Sequence, residues 1–218
     1  MKRWLVCAFF GAMVVATAGL ASAAPEPQLL LRDPTVSRTQ IAFTYGGDIW
    51  IVSRHGGDAH RLVTGLHQAN LPIFSPDGSQ IAFTGIYDGN ADVYVVAAAG
   101  GDPRRLTYHP GPDVAVGWTP DGKRILFRSA RASYSDPNQL YTVPVSGGEP
   151  TELPLVMAET GSYSADGTHL AYVPNFQWEP FWKGYRGGQT TYVLIANLAD
   201  SSTVAVPRNG SNDNLPMW

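Results

Sequence analysis

Apolar and polar positions alternate in short runs along most of this chain, and the runs are separated by turn residues. The clearest stretch is Leu71 to Gly85, in which Leu71-Pro72-Ile73-Phe74 leads into Ser75-Pro76-Asp77-Gly78 and Ile81-Ala82-Phe83 leads out. A small polar residue, proline and glycine at the first, second and fourth positions suit a type I turn. Apolar runs on both sides of such a turn predict an antiparallel hairpin. The pattern returns twice: Trp118-Thr119-Pro120-Asp121-Gly122 precedes Ile125-Leu126-Phe127, and Tyr163-Ser164-Ala165-Asp166-Gly167 precedes Leu170-Ala171-Tyr172. Phe74, Trp118 and Tyr163 are 44 and 45 residues apart, and a fixed period of that size is the signature of a repeat architecture.

Each unit continues in the same way. Asp48-Ile49-Trp50-Ile51-Val52 is echoed by Asp92-Val93-Tyr94-Val95-Val96 and by Gln139-Leu140-Tyr141-Thr142-Val143. Gly-Gly pairs follow at 56–57, 100–101 and 147–148, where positive φ permits a tight turn. Short closing strands then carry Leu62, Leu106 and Leu153. The first unit, with Ile41-Ala42-Phe43, lacks the Pro-Asp-Gly turn and is about two residues shorter there. Four antiparallel strands in 40–50 residues form one blade of a β-propeller, which must stack on neighbours to bury both faces. The expected fold is all-β: a partial propeller of about four four-stranded blades plus the start of a fifth. The repeat units span about 29–66, 67–110, 111–156 and 157–213, and the next begins at 214–218, where Asn214-Leu215-Pro216-Met217-Trp218 matches Asn70 to Phe74. A strand that begins and stops at Trp218 leads to the expectation that the chain is the front piece of something longer.

The first 23 residues follow another pattern. Lys2 and Arg3 precede an apolar run from Trp4 to Leu20, and Ala21-Ser22-Ala23 supplies small residues for cleavage. This reads as a signal peptide followed by a short linker, 24–28, and therefore as an exported protein, periplasmic or secreted. An N-terminal membrane anchor is the alternative, since the run borders on spanning length. Cleavage takes the net charge from −3 to −5 and removes Cys7, the sole cysteine of the chain. Without disulfides, stability must come from packing. The 15 basic and 18 acidic residues form no basic stripe, so no nucleic-acid partner is expected.

Candidate chemistry is sparse. The fourth unit is stretched by an insertion, Pro174 to Gln189, with Phe176, Trp178, Phe181, Trp182 and Tyr185 set among Lys183 and Arg186. It either packs over its own or the next blade or forms a binding surface; in the second reading Trp182, Lys183, Tyr185 and Arg186 are the binding residues. Asp88, Asn90 and Asp92 have the spacing of three calcium ligands, but glycine and glutamate are missing further on, so they read as a polar hairpin tip. The five histidines, His55, His60, His67, His109 and His169, have no ligand spacing and read as surface residues. No catalytic residue, metal site or cofactor is expected.

The repeat Phe74-Ser75-Pro76-Asp77-Gly78 with Ile81-Ala82-Phe83 resembles that of TolB-like periplasmic proteins, prolyl-oligopeptidase-type peptidases and tricorn protease. Trp182-Lys183-Gly184-Tyr185-Arg186-Gly187-Gly188-Gln189-Thr190-Thr191, Asn209 to Asp213, Pro216-Met217-Trp218 and Gly46-Gly47-Asp48-Ile49-Trp50 are similar to the N-terminal propeller of bacterial tricorn-protease homologues. In that family a six-bladed and a seven-bladed propeller precede a PDZ-like module and a serine-peptidase core, and the propellers channel unfolded peptides. The resemblance thus implies a peptide-admitting or peptide-binding part of an exported serine peptidase, whose catalytic serine, histidine and glutamate lie beyond residue 218. The implied partners are peptide or unfolded polypeptide, the downstream blades and peptidase core of the same chain, and a homo-oligomer in the full-length form. The alternative is a TolB-like propeller that binds a protein partner and belongs to no enzyme.

Overall fold

The structure, a computed structural model, describes residues 30–132, 138–176, 187–188 and 190–218. The signal-peptide and linker assignments, Cys7 and the four binding candidates Trp182, Lys183, Tyr185 and Arg186 lie outside the described residues. Among those described, the regular structure is strand throughout. Blade one holds β1 (Arg32–Val36), β2 (Gln40–Tyr45), β3 (Asp48–Ser53) and β4 (His60–Val63). Blade two holds β5 (Gln68–Phe74), β6 (Gln80–Tyr87), β7 (Asn90–Ala97) and β8 (Arg104–Arg105). Blade three holds β9 (Asp113–Trp118), β10 (Arg124–Ser129), β11 (Gln139–Pro144) and β12 (Thr151–Glu152). Blade four holds β13 (Thr160–Tyr163), β14 (His169–Val173), β15 (Leu194–Asn197) and β16 (Thr203–Ala205). Each blade is one four-stranded antiparallel sheet in chain order, so the fold is the partial propeller that the repeats imply.

The Pro-Asp-Gly turns, with Ala165 in place of proline in blade four, set the register. Phe74 pairs with Ile81, Trp118 with Ile125 and Tyr163 with Leu170. In each turn the glycine N–H donates to the carbonyl three residues back, as in Gly78 to Ser75 at 2.8 Å. The aspartate locks the loop: the Asp77 carboxylate accepts from the Ser75 hydroxyl at 2.6 Å and the Ser79 N–H at 3.0 Å. Asp166 repeats this with Ser164 and Thr168. Blade one closes the same corner with Ser37 N–H to Gln40 carbonyl at 2.8 Å, two residues tighter.

The turn glycines serve twice. Gly78 has φ +76°, and a Cβ there would lie 3.2 Å from the Ser37 Cβ of the preceding blade. Gly122 sits over Pro76 and Gly167 over Pro120 in the same fashion, so successive turns stack like treads. Gly78→Ala is expected to cost about 1–2 kcal/mol from handedness alone, with the Ser37 contact adding to it. A lowered urea midpoint at unchanged slope checks this.

These hydrogen bonds also hold the carboxyls of Asp77 and Asp166 down at about 2, with the hydroxyl of Ser75 or Ser164 as the largest cause. Asp121 is lowered too, chiefly by Thr119. A depressed carboxyl stabilises the fold above its unfolded value of about 3.9, and that contribution disappears as pH falls through the folded value. Stability is therefore expected to drop between about pH 4 and pH 2, and Asp77→Asn with Asp166→Asn should flatten that slope in urea melts at stepped pH.

The core lies between blades. Ile49 and Ile51 of blade one meet Ile81, Phe83, Tyr94 and Val96 of blade two. Val93 and Val95 of blade two meet Ile125, Phe127, Tyr141 and Val143 of blade three. Leu126 and Leu140 of blade three meet Leu170, Tyr172 and Ala196 of blade four. Leu62, Leu106 and Leu153 seal the outer ends of these layers, as their matching places in the repeat require.

Candidate functional site

The first strands of the four blades lie side by side, β5 against β1 and β9 against β5 and β13. Each is hydrogen-bonded to its own sheet on one edge. The other edges of β5, β9 and β13 border a groove of about 610 Å³ lined mainly by apolar surface, including Ile73, Val116, Trp118, Tyr163, Pro216 and Met217. The repeat's aromatic positions thus come together on one wall. Burial pushes the Tyr163 hydroxyl up to about 12, so this group is neutral under all ordinary conditions.

Side chains of the preceding blade cap part of this edge. The N–H of Phe74 donates to Thr35 Oγ1 at 3.4 Å, and that of Trp218 donates to Ser162 Oγ at 3.2 Å. Thr35 and Ser162 occupy the same repeat position, one residue before the hairpin aromatic's place. The Trp118 indole N–H instead donates to the Ile73 carbonyl at 2.9 Å. Residues 214–218 therefore dock on blade four as residues 70–74 dock on blade one, and the Trp218 ring stacks on His169 at 6.3 Å.

The strand edge is also bent. Asp33, Leu71 and Leu215 have φ of 50°, 52° and 51°, each directly before a proline. The pairing of β1 with β2 and of β5 with β6 slips at this point. A non-glycine residue in the left-handed region costs about 1–3 kcal/mol, and it recurs here before Pro34, Pro72 and Pro216.

At the other end of β7 and β9 lie two buried carboxylates. Asp88 sits in the turn of the β6–β7 hairpin, where a polar tip is expected, whereas Asp92 is fully buried. It pairs with Arg105 at 2.7 Å and accepts from Asn90 Nδ2 at 3.0 Å. Burial pushes its carboxyl up, Arg105 opposes this, and the Asp113 charge adds to the rise. Asp113, also fully buried, pairs with Arg131 at 2.7 Å, and its Oδ1 has no hydrogen-bond partner. Arg131 lies 5.1 Å from the centres of both the Phe127 and Tyr141 rings. With each carboxylate bound to an arginine, these groups tie strands together and leave little charge for a ligand.

His55, His60 and His67 are exposed, whereas His109 and His169 are half-buried and occupied. His109 Nδ1 accepts the Gly111 N–H at 3.0 Å, and His169 Nδ1 lies 2.7 Å from Thr168 Oγ1. That hydroxyl also contacts Asp166 at 2.8 Å within the turn. Ser164 likewise donates to Asp166, so its hydroxyl serves the turn. Among the described residues no three His, Cys, Asp or Glu side chains gather as metal ligands would. What this site offers chemically is a curved apolar wall with backbone groups along it.

Comparison with known proteins places this architecture. The family described as the tricorn protease N-terminal beta propeller domain matches residues 28–218. Tricorn protease homolog 1 of Streptomyces coelicolor is 31% identical over 199 residues, covering 89% of this chain and 18% of that protein. The chain thus spans less than a fifth of that relative's length. The crystal structure of the tricorn protease superposes with a TM-score of 0.73 at 26% identity, covering 84% of this chain and 19% of that one. TolB from Acinetobacter baumannii shares the fold, with a TM-score of 0.63, 24% identity, and coverage of 81% and 43%. The chain therefore belongs to the tricorn protease N-terminal β-propeller family.

Proposed function

We infer that this chain is the peptide-admitting propeller of an exported tricorn-like serine peptidase, and that it binds extended polypeptide without cleaving it. The observation that carries this reading is the groove along β5, β9 and β13. An extended segment matches a strand-edge wall because its backbone can meet edge groups while alternate side chains enter apolar pockets. The Trp118, Tyr163 and Val116 surfaces would take those side chains, with little selection by charge. Trp182, Lys183, Tyr185 and Arg186 are proposed to add aromatic and cationic contacts. The catalytic groups belong to a peptidase core elsewhere in the full-length protein, together with further blades, and the assembly is a homo-oligomer.

Titration of the purified chain with extended, unstructured peptides tests the reading. Saturable quenching of tryptophan fluorescence, weakened by Val116→Asp, is the expected result, with no new peptide termini by mass spectrometry. Hydrolysis by the chain, or binding of a folded protein but no peptide, would overturn it; the latter outcome fits a TolB-like binding module. Export is tested separately, since N-terminal sequencing of the mature protein should begin at Ala24.

A further inference from the structure

Alternation along the first strands decides which main-chain groups meet the groove. The N–H groups of Ser75, Thr119 and Ser164 donate to the carbonyls of Gln80, Arg124 and His169 at 2.8, 3.0 and 2.9 Å, so these residues form hydrogen-bonded pairs across each hairpin. The pair next to each is then of the non-hydrogen-bonded kind: Phe74 with Ile81, Trp118 with Ile125 and Tyr163 with Leu170. The N–H groups of Phe74, Trp118 and Tyr163 therefore point away from their own sheets, towards the edge that borders the groove.

Each of these donors faces one position of the preceding blade, the residue before the hairpin aromatic's place. Where that residue has a hydroxyl, the donor is capped: Thr35 Oγ1 accepts from Phe74, and Ser162 Oγ accepts from Trp218. Between blades two and three the position holds Ile73, and between blades three and four it holds Gly117. Neither side chain offers an acceptor. The Trp118 indole does reach the Ile73 carbonyl, but that contact leaves the main-chain N–H of Trp118 as it was. Ile73, Gly117, Trp118 and Tyr163 all line the groove, so the two uncapped donors stand where a ligand would lie.

We propose that the main-chain N–H groups of Trp118 and Tyr163 are the anchoring donors of this groove, each receiving a backbone carbonyl of a bound extended polypeptide. The inference rests on the peptide-binding reading above and names how the segment is held. Two donors of one kind, presented from neighbouring strand edges, suit the repeated carbonyls of a main chain. Among the described residues that line the groove none is charged, so a carboxylate would be desolvated there without a partner. Sterics do not forbid a cap at position 117. A Cβ on Gly117 would lie 3.8 Å from Leu126 Cδ2 and 3.9 Å from the Gly161 carbonyl oxygen, which is ordinary contact. The lack of a hydroxyl at 73 and 117 is what keeps these donors open to a ligand.

Gly117→Ser supplies the hydroxyl that blade four carries at Ser162, and Gly117→Ala adds the same Cβ without the acceptor. The wild-type chain and both variants are titrated with an acetylated and amidated, uncharged, unstructured peptide. Gly117→Ala should bind within about 2-fold of wild type, and Gly117→Ser about 3- to 10-fold more weakly than Gly117→Ala, the loss of one neutral hydrogen bond. Its urea midpoint should be no lower than that of Gly117→Ala, which separates a filled donor from a damaged fold. Ile73→Thr against its isostere Ile73→Val repeats the comparison at Trp118, and decides the matter if Gly117→Ser lacks a native far-UV spectrum. In the wild type, peptide should slow hydrogen exchange at the Trp118 and Tyr163 amides. Equal binding by the capped variants and their controls, or exchange at both amides that peptide leaves unchanged, overturns the proposal while peptide binding itself stands. A peptide with a free terminal carboxylate that binds about 10-fold more tightly than its amide overturns the main-chain assignment. A wild type that binds no peptide overturns both this proposal and the reading on which it rests.

Discussion

Replacing Phe127 by alanine should lower the stability of this protein by about 3–5 kcal/mol, the cost of emptying a large buried aromatic site. Phe127 is fully buried between blades two and three, and it stacks on Tyr141 with ring centres 5.6 Å apart. The site has little room to collapse, because Ile125, Val143 and Val95 form its walls from both sheets. Against a typical total of about 5–15 kcal/mol, such a loss is large. Its form should be distinctive too. Blades touch mainly their neighbours, so a cavity at one interface weakens the coupling between blades one–two and blades three–four. Urea unfolding followed by tryptophan fluorescence and by hydrogen exchange should therefore split into two transitions. Phe127→Leu should retain a single transition and lose far less, since it keeps most of the volume. The matching change in blade one, Phe43→Ala, should cost less, because Phe43 has no blade behind it among the described residues. A loss below about 1 kcal/mol for Phe127→Ala would show that the interblade layer is not the core.

The local turns and strand periods were legible before any coordinates, because their chemistry is local. Pro-Asp-Gly dictates a corner, and the aromatic before it and the Ile or Leu after it then pair as Phe74 does with Ile81. The interblade layers follow from alternation alone: Ile81 and Phe83 turn one way and Ala82 the other. What escaped the sequence depends on distant groups. Asp92 resembles a tip residue until Arg105 arrives from β8 to neutralise it. Leu71 gives no sign of a left-handed backbone, since most residues before proline are extended. The last hairpin of blade four lacks the expected glycine pair. There Ser201 takes φ of 60°, and the Asp200 carboxylate accepts the Ser202 N–H at 2.9 Å, which does the same work by another route. The groove itself was only implicit, as it forms from three first strands, β5, β9 and β13, that are far apart in the chain, together with Pro216 and Met217.

Removing Arg131 should have the other large effect. Its guanidinium is the ion partner of Asp113, whose side chain has no exposure to water and whose second oxygen is already without a donor. A buried pair contributes little net stability, because desolvation offsets the attraction, but breaking it from one side is costly. Arg131→Met keeps much of the stem that covers Phe127 and Tyr141 and deletes the charge. It should destabilise the chain by about 3–5 kcal/mol at neutral pH. Asp113→Asn added to Arg131→Met should recover most of the stability, so the two changes are strongly non-additive. Thermal or urea melts of both singles and the double at neutral pH complete the cycle. If Arg131→Met and the double variant are equally unstable, the guanidinium matters through its packing on the two rings, and the charge pair is incidental to holding β9 against β10.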